Sequence, residues 1–357
     1  MKIIYAAILA LLPSLMVGQT LNTIESVEYD PINGAWLVSN NGSIISQDHF
    51  GNLTYFSEGT ASAAYGMEVI GDNVFVIKSS GTLAGYNLTT GDEVLSMPLG
   101  MNFANGMASD GVSRLWISDF TGGKIAEIDV SDLDNPTMEN VVNFITTTPN
   151  GIVYDESGNR LLFVNWASNA PVTAVDLTDY STSDIINTGL ANCDGIDDDN
   201  DGNYFISSWS PTRITKYSPD FASSEIISVP GLDLPADISY SKEVDSLAIP
   251  NVGTSEAIII GFGPTSIDDL PKKNGFFSVY PNPITNQSAA HFSLATSANV
   301  KMEIRDVQGK LISTLVEENL APGKHRILFA GLNLEQGYYI CNAETEGNSF
   351  LFPFIVQ

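Results

Sequence analysis

From residue 24 to residue 262 apolar and polar residues alternate in short runs broken by turns rich in Gly, Asn and Asp, and no helical period appears. One plan recurs along this stretch. A short strand, a polar turn, then a β-branched and aromatic strand make up Ser26–Ser39, Gly66–Ile77, Gly106–Ser118, Gly151–Val164, Gly195–Ser207 and Ile238–Ile249. The starts are spaced by 40, 40, 45, 44 and 43 residues, against roughly 40–50 for a four-stranded propeller blade. Further strand-like runs, such as Lys124–Val130 and Val141–Ile145, fill out each unit. The pattern predicts a six-bladed β-propeller over residues 19–262. Its last blade ends with Ala257–Phe262 and nothing strand-like follows, so residues 19–24 are expected to add the missing strand and cover the open edge.

A polar, Pro-containing linker, 263–274, separates the propeller from a second domain at 275–357. There Phe276–Pro283, Val300–Ile312 and Leu334–Ile340 alternate around turns as a small immunoglobulin-like β-sandwich does. The fold class is therefore all-β. At the other end, Lys2 precedes the apolar run Ile3–Val17, with Gly18 before Gln19 as a cleavage point, so residues 1–18 read as a signal peptide. Pro13 interrupts the run, which falls short of the roughly 20 residues needed to span a bilayer, and no transmembrane segment is expected in the mature protein.

Composition narrows the function classes. The 357 residues suggest about two domains, and 43% hydrophobic with 16% charged residues excludes a disordered tail or a coiled coil. Net charge is -27, of which residues 19–262 carry -26, from 7 basic and 33 acidic residues. Nucleic acid would be repelled, and cations are the natural partners. Cys193 and Cys341 lie in different domains and read as two buried free thiols.

The innermost strand of a propeller blade runs along the central channel, so equivalent repeat positions point at one ring of space. The residue before each repeat start is Glu25, Tyr65, Asn105, Asn150, Asp194 and Asp237. Five of the six carry the oxygens that a hard cation such as calcium prefers. Taken singly, Asn105-Gly106, Asn150-Gly151 and Asp194-Gly195 are turn dipeptides. Together they all precede the first strand, while a separate turn follows later in the repeat, as at Asp155–Gly158 and Asp199–Gly202. Glu25, Asn105, Asn150 and Asp194 are the expected ligands of calcium or another divalent cation, with Asp237, Tyr65 and Asn102 around them. Zinc is not expected, since the histidines are His49, His291 and His325. The run Asp197–Gly202 carries acids at alternate positions like half an EF-hand loop, but Ser208 stands where such a loop needs Glu, so it reads as an acidic hairpin turn.

Two resemblances add to this reading. The Tyr-Pro-Asn-Pro entry at 280–283, the turn from Asp306 to Lys310 and the Gly-Tyr-Tyr of 337–339 resemble the C-terminal sorting domain of the type IX secretion system. That resemblance implies a partnership with the secretion machinery, passage across the outer membrane, and a secreted or cell-surface protein. Glu25-Ser26, Asn150-Gly151 and Asp194-Gly195 resemble the metal-ligand segments of the senescence marker protein/gluconolactonase family of six-bladed propellers. Asn105 falls where that family and the diisopropyl-fluorophosphatase and paraoxonase propellers place a fourth polar residue at the metal. The resemblance implies a divalent ion in the channel and a calcium-dependent lactonase-type hydrolase acting on a small-molecule substrate, with Asp194 as base. The sugar lactonases carry an arginine where Asn102 stands, and the paraoxonase histidines have no counterpart. The alternative is a non-catalytic surface binding propeller with a structural ion.

Overall fold

A computed structural model describes residues 19–48, 51–262, 277–280, 284, 288–294, 297–306, 309–329, 332, 334–345 and 348–356. The signal segment 1–18, the linker 263–274, His49 and residues 281–283 lie outside the described residues. The chain divides into two compact units, Met1–Pro264 and Thr265–Gln357.

The first unit is a six-bladed β-propeller. Among the described residues it holds five four-stranded sheets and one of three strands, each an antiparallel meander in chain order. The first strands of the blades are Val27–Asp30, Met67–Ile70, Ala104–Ser109, Pro149–Asp155, Ala191–Asp198 and Ser239–Ser241. Each touches the first strand of the next blade, and the first touches the sixth, so these strands ring the channel. The apolar face of every blade is buried against its neighbour, as the repeat logic requires. The seam between blades 3 and 4 packs Trp116 and Ile125 on Phe163 and Val175, and that between blades 4 and 5 packs Leu162 and Val172 on Ile196 and Ile206. The closing seam sets Ile24, Val27, Trp36 and Val38 against Ala248.

Residues 19–24 do not form the expected fourth strand of blade 6, which keeps the three strands Ser239–Ser241, Ser246–Asn251 and Glu256–Gly261. Closure works at the channel instead: Ser26 pairs with Asp237 in a parallel bridge, and Asp237 N–H donates to Glu25 O at 3.0 Å. Ile24 fills the seam, where apolar burial takes the place of edge pairing. The acidic run expected as a hairpin turn at 197–202 is a turn only from Asp199 on, since Asp197 and Asp198 end the inner strand Ala191–Asp198; Asp199 Oδ1 accepts from the N–H groups of Asp201 and Asn203, both at 2.9 Å. The Asp199 carboxylate also pairs with Lys216 at 2.7 Å.

The second unit is a small β-sandwich with, among the described residues, a three-stranded and a four-stranded sheet. Ala290 and Phe292 of one sheet meet Met302, Ile304, Cys341 and Phe354 of the other in a single core. Cys193 and Cys341 are both buried and unpaired.

Candidate functional site at the channel mouth

The site begins with three glycines. Gly106, Gly151 and Gly195 are absent from the left-handed backbone conformations, so they are not turn residues. Each is needed because the next blade passes too close for a side chain. A β-carbon on Gly106 would lie 2.5 Å from Asn150 O, one on Gly151 2.5 Å from Asp194 O, and one on Gly195 2.5 Å from the Ile238 nitrogen. At the same step the register slips between the first two strands of blades 3, 4 and 5. Such a bulge re-aims the side chain before it, here Asn105, Asn150 and Asp194.

Serines at the ends of the second-strand repeats tie this ring together. Ser118 Oγ accepts from Gly106 N–H at 3.0 Å and donates to Asn150 O at 2.7 Å. Ser207 Oγ accepts from Gly195 N–H at 2.7 Å and donates to Ala236 O at 2.8 Å. In blade 1, Ser39 Oγ accepts from both Glu25 and Ser26 N–H, at 3.0 and 2.9 Å. Ser118 and Ser207 therefore satisfy backbone groups that the bulges of blades 3 and 5 remove from the sheet ladder, and Ser39 does the same for the N–H groups ahead of the first strand of blade 1.

Asn105, Asn150 and Asp194 come together and are buried. The Asn105 amide donates to Asn150 Oδ1, and Asn150 Nδ2 donates to Asp194 Oδ1 at 3.1 Å. Glu25 closes the group electrically. Burial raises its carboxyl from 4.5 to about 7, with no hydrogen bond to offset the rise. Burial raises Asp194 well above its ordinary value, the charges of Glu25 and Asp237 add to the rise, and hydrogen bonds from Asn150 and Trp209 oppose it. Asp237 is pushed up to about 8 by burial and by Glu25, against a hydrogen bond from Ser26. Burial raises the Tyr65 hydroxyl, with the charge of Glu25 as a further cause. Asn102 does not join: it is exposed, and its N–H donates to Asp119 Oδ2 at 3.0 Å.

The donor set is two carboxylates and two amides, all oxygen, and no lysine or arginine among the described residues is paired to it. Among the described residues no three His, Cys, Asp or Glu side chains group tightly enough to hold a metal by themselves. An ion here must draw on Asn105 and Asn150, and the set fits a hard cation.

Three positions further along the inner strands stands a second acidic group that the repeat alignment passes over: Glu28, Glu68 and Asp197. They line a cavity of about 800 Å³ with Asp237, Ser109 and Ser239. Ser239 Oγ donates to Glu28 and Ser109 Oγ to Glu68, each at 2.8 Å. Burial pushes Glu28 up to about 8, and Glu68 rises well above its ordinary range by burial and the charges of Glu28 and Asp197. The recurrence of Glu at 28 and 68, both three after the ring position, was the available signal.

No curated protein matches this sequence. Among solved structures, a nidogen/laminin complex has a chain 12% identical over 67% of this chain and 92% of its own, with a TM-score of 0.49. Kuenenia stuttgartiensis hydrazine synthase is 14% identical over 70% of this chain and 79% of its own, TM-score 0.49. The extracellular domain of a protein assigned as a B. thetaiotaomicron hybrid two component system is 12% identical, TM-score 0.48; the match spans 93% of this chain and 50% of that one. No helix among the described residues is long and apolar enough to cross a membrane. Residues 278–357 match the secretion system C-terminal sorting domain. The chain thus carries a type IX sorting tail behind a six-bladed propeller, and its destination is the cell surface or the medium.

Proposed function

We propose that the propeller binds a divalent cation, calcium first, through Glu25, Asn105, Asn150 and Asp194, and that it is an exported hydrolase of the lactonase type. The observation that carries the reading is Glu25. Its carboxyl is desolvated without a hydrogen bond, beside two further buried acids, Asp194 and Asp237, and a cation is what such a group lacks. When bound, the ion supplies a Lewis acid for an ester or lactone carbonyl oxygen. Asp194 takes the proton of the water that attacks the acyl carbon and returns it to the departing alkoxide oxygen as the acyl C–O bond breaks. Asn150 holds that carboxylate through Oδ1 and fixes its orientation. Asp237 fixes the closing bridge next to Glu25.

Calcium is titrated into chelated wild type, Glu25→Gln and Asp194→Asn while melting is followed, and a panel of lactones and esters is screened. At about 100 times Kd the ion adds about 2.7 kcal/mol, or about 5–10 °C for a unit of this size. Wild type should shift by that amount and hydrolyse a panel member, and Asp194→Asn should lose both. Equal shifts in all three proteins, or no shift in any, overturns the cation site. A calcium-dependent shift without turnover of any ester leaves the non-catalytic binding propeller.

A further inference from the structure

Five aromatic rings border the mouth that holds Glu25 and Asp194. Tyr65 and Phe103 are 4.9 Å apart between ring centroids, Phe103 and Phe120 5.4 Å, Phe120 and Trp166 6.3 Å, and Trp166 and Trp209 4.8 Å. The arc crosses blades 2 to 5. Its ends meet the acids: Tyr65 feels the charge of Glu25, and Trp209 moderates the rise of Asp194. All five residues are only half-buried, and Phe103, Phe120, Trp166 and Trp209 belong to none of the blade-seam cores. Large aromatics outside a core, side by side at a mouth, mark a contact surface.

Hydrogen bonds hold the backbone of Phe103 and Trp166 and the indole of Trp209. Asp119 Oδ1 accepts from Phe103 N–H at 2.9 Å, Trp166 N–H donates to Thr148 O at 2.8 Å, and Trp209 Nε1 donates to Pro235 O at 3.0 Å. Adjacent planes are turned by 57–77°, so no ring is stacked flat on its neighbour within the arc.

Resting on the function proposed above, we infer that the ligand carries an organic cation, a protonated amine or quaternary ammonium group, held by the aromatic arc and faced by the acids of blades 1, 5 and 6. Ring faces attract cations through the ring quadrupole, more strongly where water is excluded. A neutral apolar ligand would find the same rings but would leave Asp237, which lies beside Glu25 and outside the divalent set, without a counter-charge. The -26 of residues 19–262 also draws a cation toward the mouth. The substrate class is then an ester or lactone with a cationic substituent.

The full chain is titrated by calorimetry with choline and with its neutral isostere 3,3-dimethylbutan-1-ol, both in chelator and at saturating calcium. Tryptophan fluorescence is read in parallel. Choline should bind at least tenfold more tightly than the isostere in at least one of the two states, and Trp166→Leu and Phe120→Leu should each weaken it at least tenfold. Either variant suffices if the other does not fold. Equal affinity for choline and isostere overturns the inference, as does no choline binding in either state or unchanged choline affinity in a folded variant. The calcium melting shift is a separate readout, so choline binding without that shift sinks the divalent site and leaves the aromatic cation site standing.

Discussion

The Asn150 amide reaches Asp194 Oδ1 at 3.1 Å across the seam between blades 4 and 5, and the glycine after each residue lets the seam close. Backbone is the obstacle at Gly151: a β-carbon there meets Asp194 O at 2.5 Å and the Gly195 α-carbon at 2.6 Å. Neither can swing aside as a side chain would. Gly151→Ala should therefore cost about 1–3 kcal/mol through overpacking, a melting loss of about 2–4 °C per kcal/mol. Gly189→Ala is a control for the position-specific effect, since nothing lies within 4 Å of its β-carbon site and only its backbone angle is strained. A Gly151→Ala protein that keeps its melting temperature and calcium response would show that the close approach does not matter.

Ser118 and Ser207 are fully buried and each bridges two backbone groups. Replacing either with Ala strands a buried N–H and a buried carbonyl, at about 1–3 kcal/mol for each unsatisfied group. Ser118→Ala should also loosen Asn150, whose carbonyl it holds. The expected result is a lower melting temperature and faster amide exchange at Gly106. Ser80→Ala, on an exposed turn, should leave melting unchanged. If Ser118→Ala also melts like wild type, the serine bridges add nothing to the ring.

The propeller and the tail each have their own apolar core. Deleting residues 278–357 removes the matched sorting domain without opening a blade seam. The truncated protein should fold and stay behind the outer membrane, which fractionation and immunoblotting would detect. Its appearance at the cell surface or in the medium at the full-length level would remove the tail from the export route.

Six blades were legible because every inner strand must start at the same height in the channel, which places a glycine or serine after each candidate ligand at near-constant spacing. Outer strands were less legible. The run expected at Val141–Ile145 is a strand at Thr137–Val142, because an edge strand exposed along most of its length carries no inward alternation to read. Asp197 escaped for a different reason. A bulge between Cys193 and Ile196 shifts the two-residue alternation by one, so Asp197 rather than Asp198 follows Asp194 along the channel. The aromatic arc was hidden because Phe120, Trp166 and Trp209 stand at the far end of the second strands, outside the first-strand column that was compared.

The channel acids predict an inverted pH response. Burial pushes Glu25 and Asp197 up to about 7 and Glu28 and Asp237 up to about 8. A carboxyl raised in the folded state binds its proton more tightly there than in the unfolded chain. Its stabilising effect is complete below the ordinary 3.8–4.5 and is lost as pH rises through 7 to 8. Asp110, Asp155 and Asp199 are lowered by hydrogen bonds that outweigh their burial, so they titrate below this window and do not cancel the effect. In chelator the protein should therefore melt higher at about pH 5.5 than at about pH 8.5, opposite to a protein whose carboxylates are mainly paired. Calcium should raise melting more at the higher pH, where the ligands are ionised, and less at the lower, where protons compete for Glu25 and Asp194. Glu25→Gln should flatten the chelated profile by removing one of these groups, while its calcium shift at pH 8.5 shrinks. Differential scanning calorimetry across this range decides the matter: a chelated melting temperature that rises steadily with pH would mean that the channel acids are compensated in the folded protein, and the case for a missing cation would fail with them.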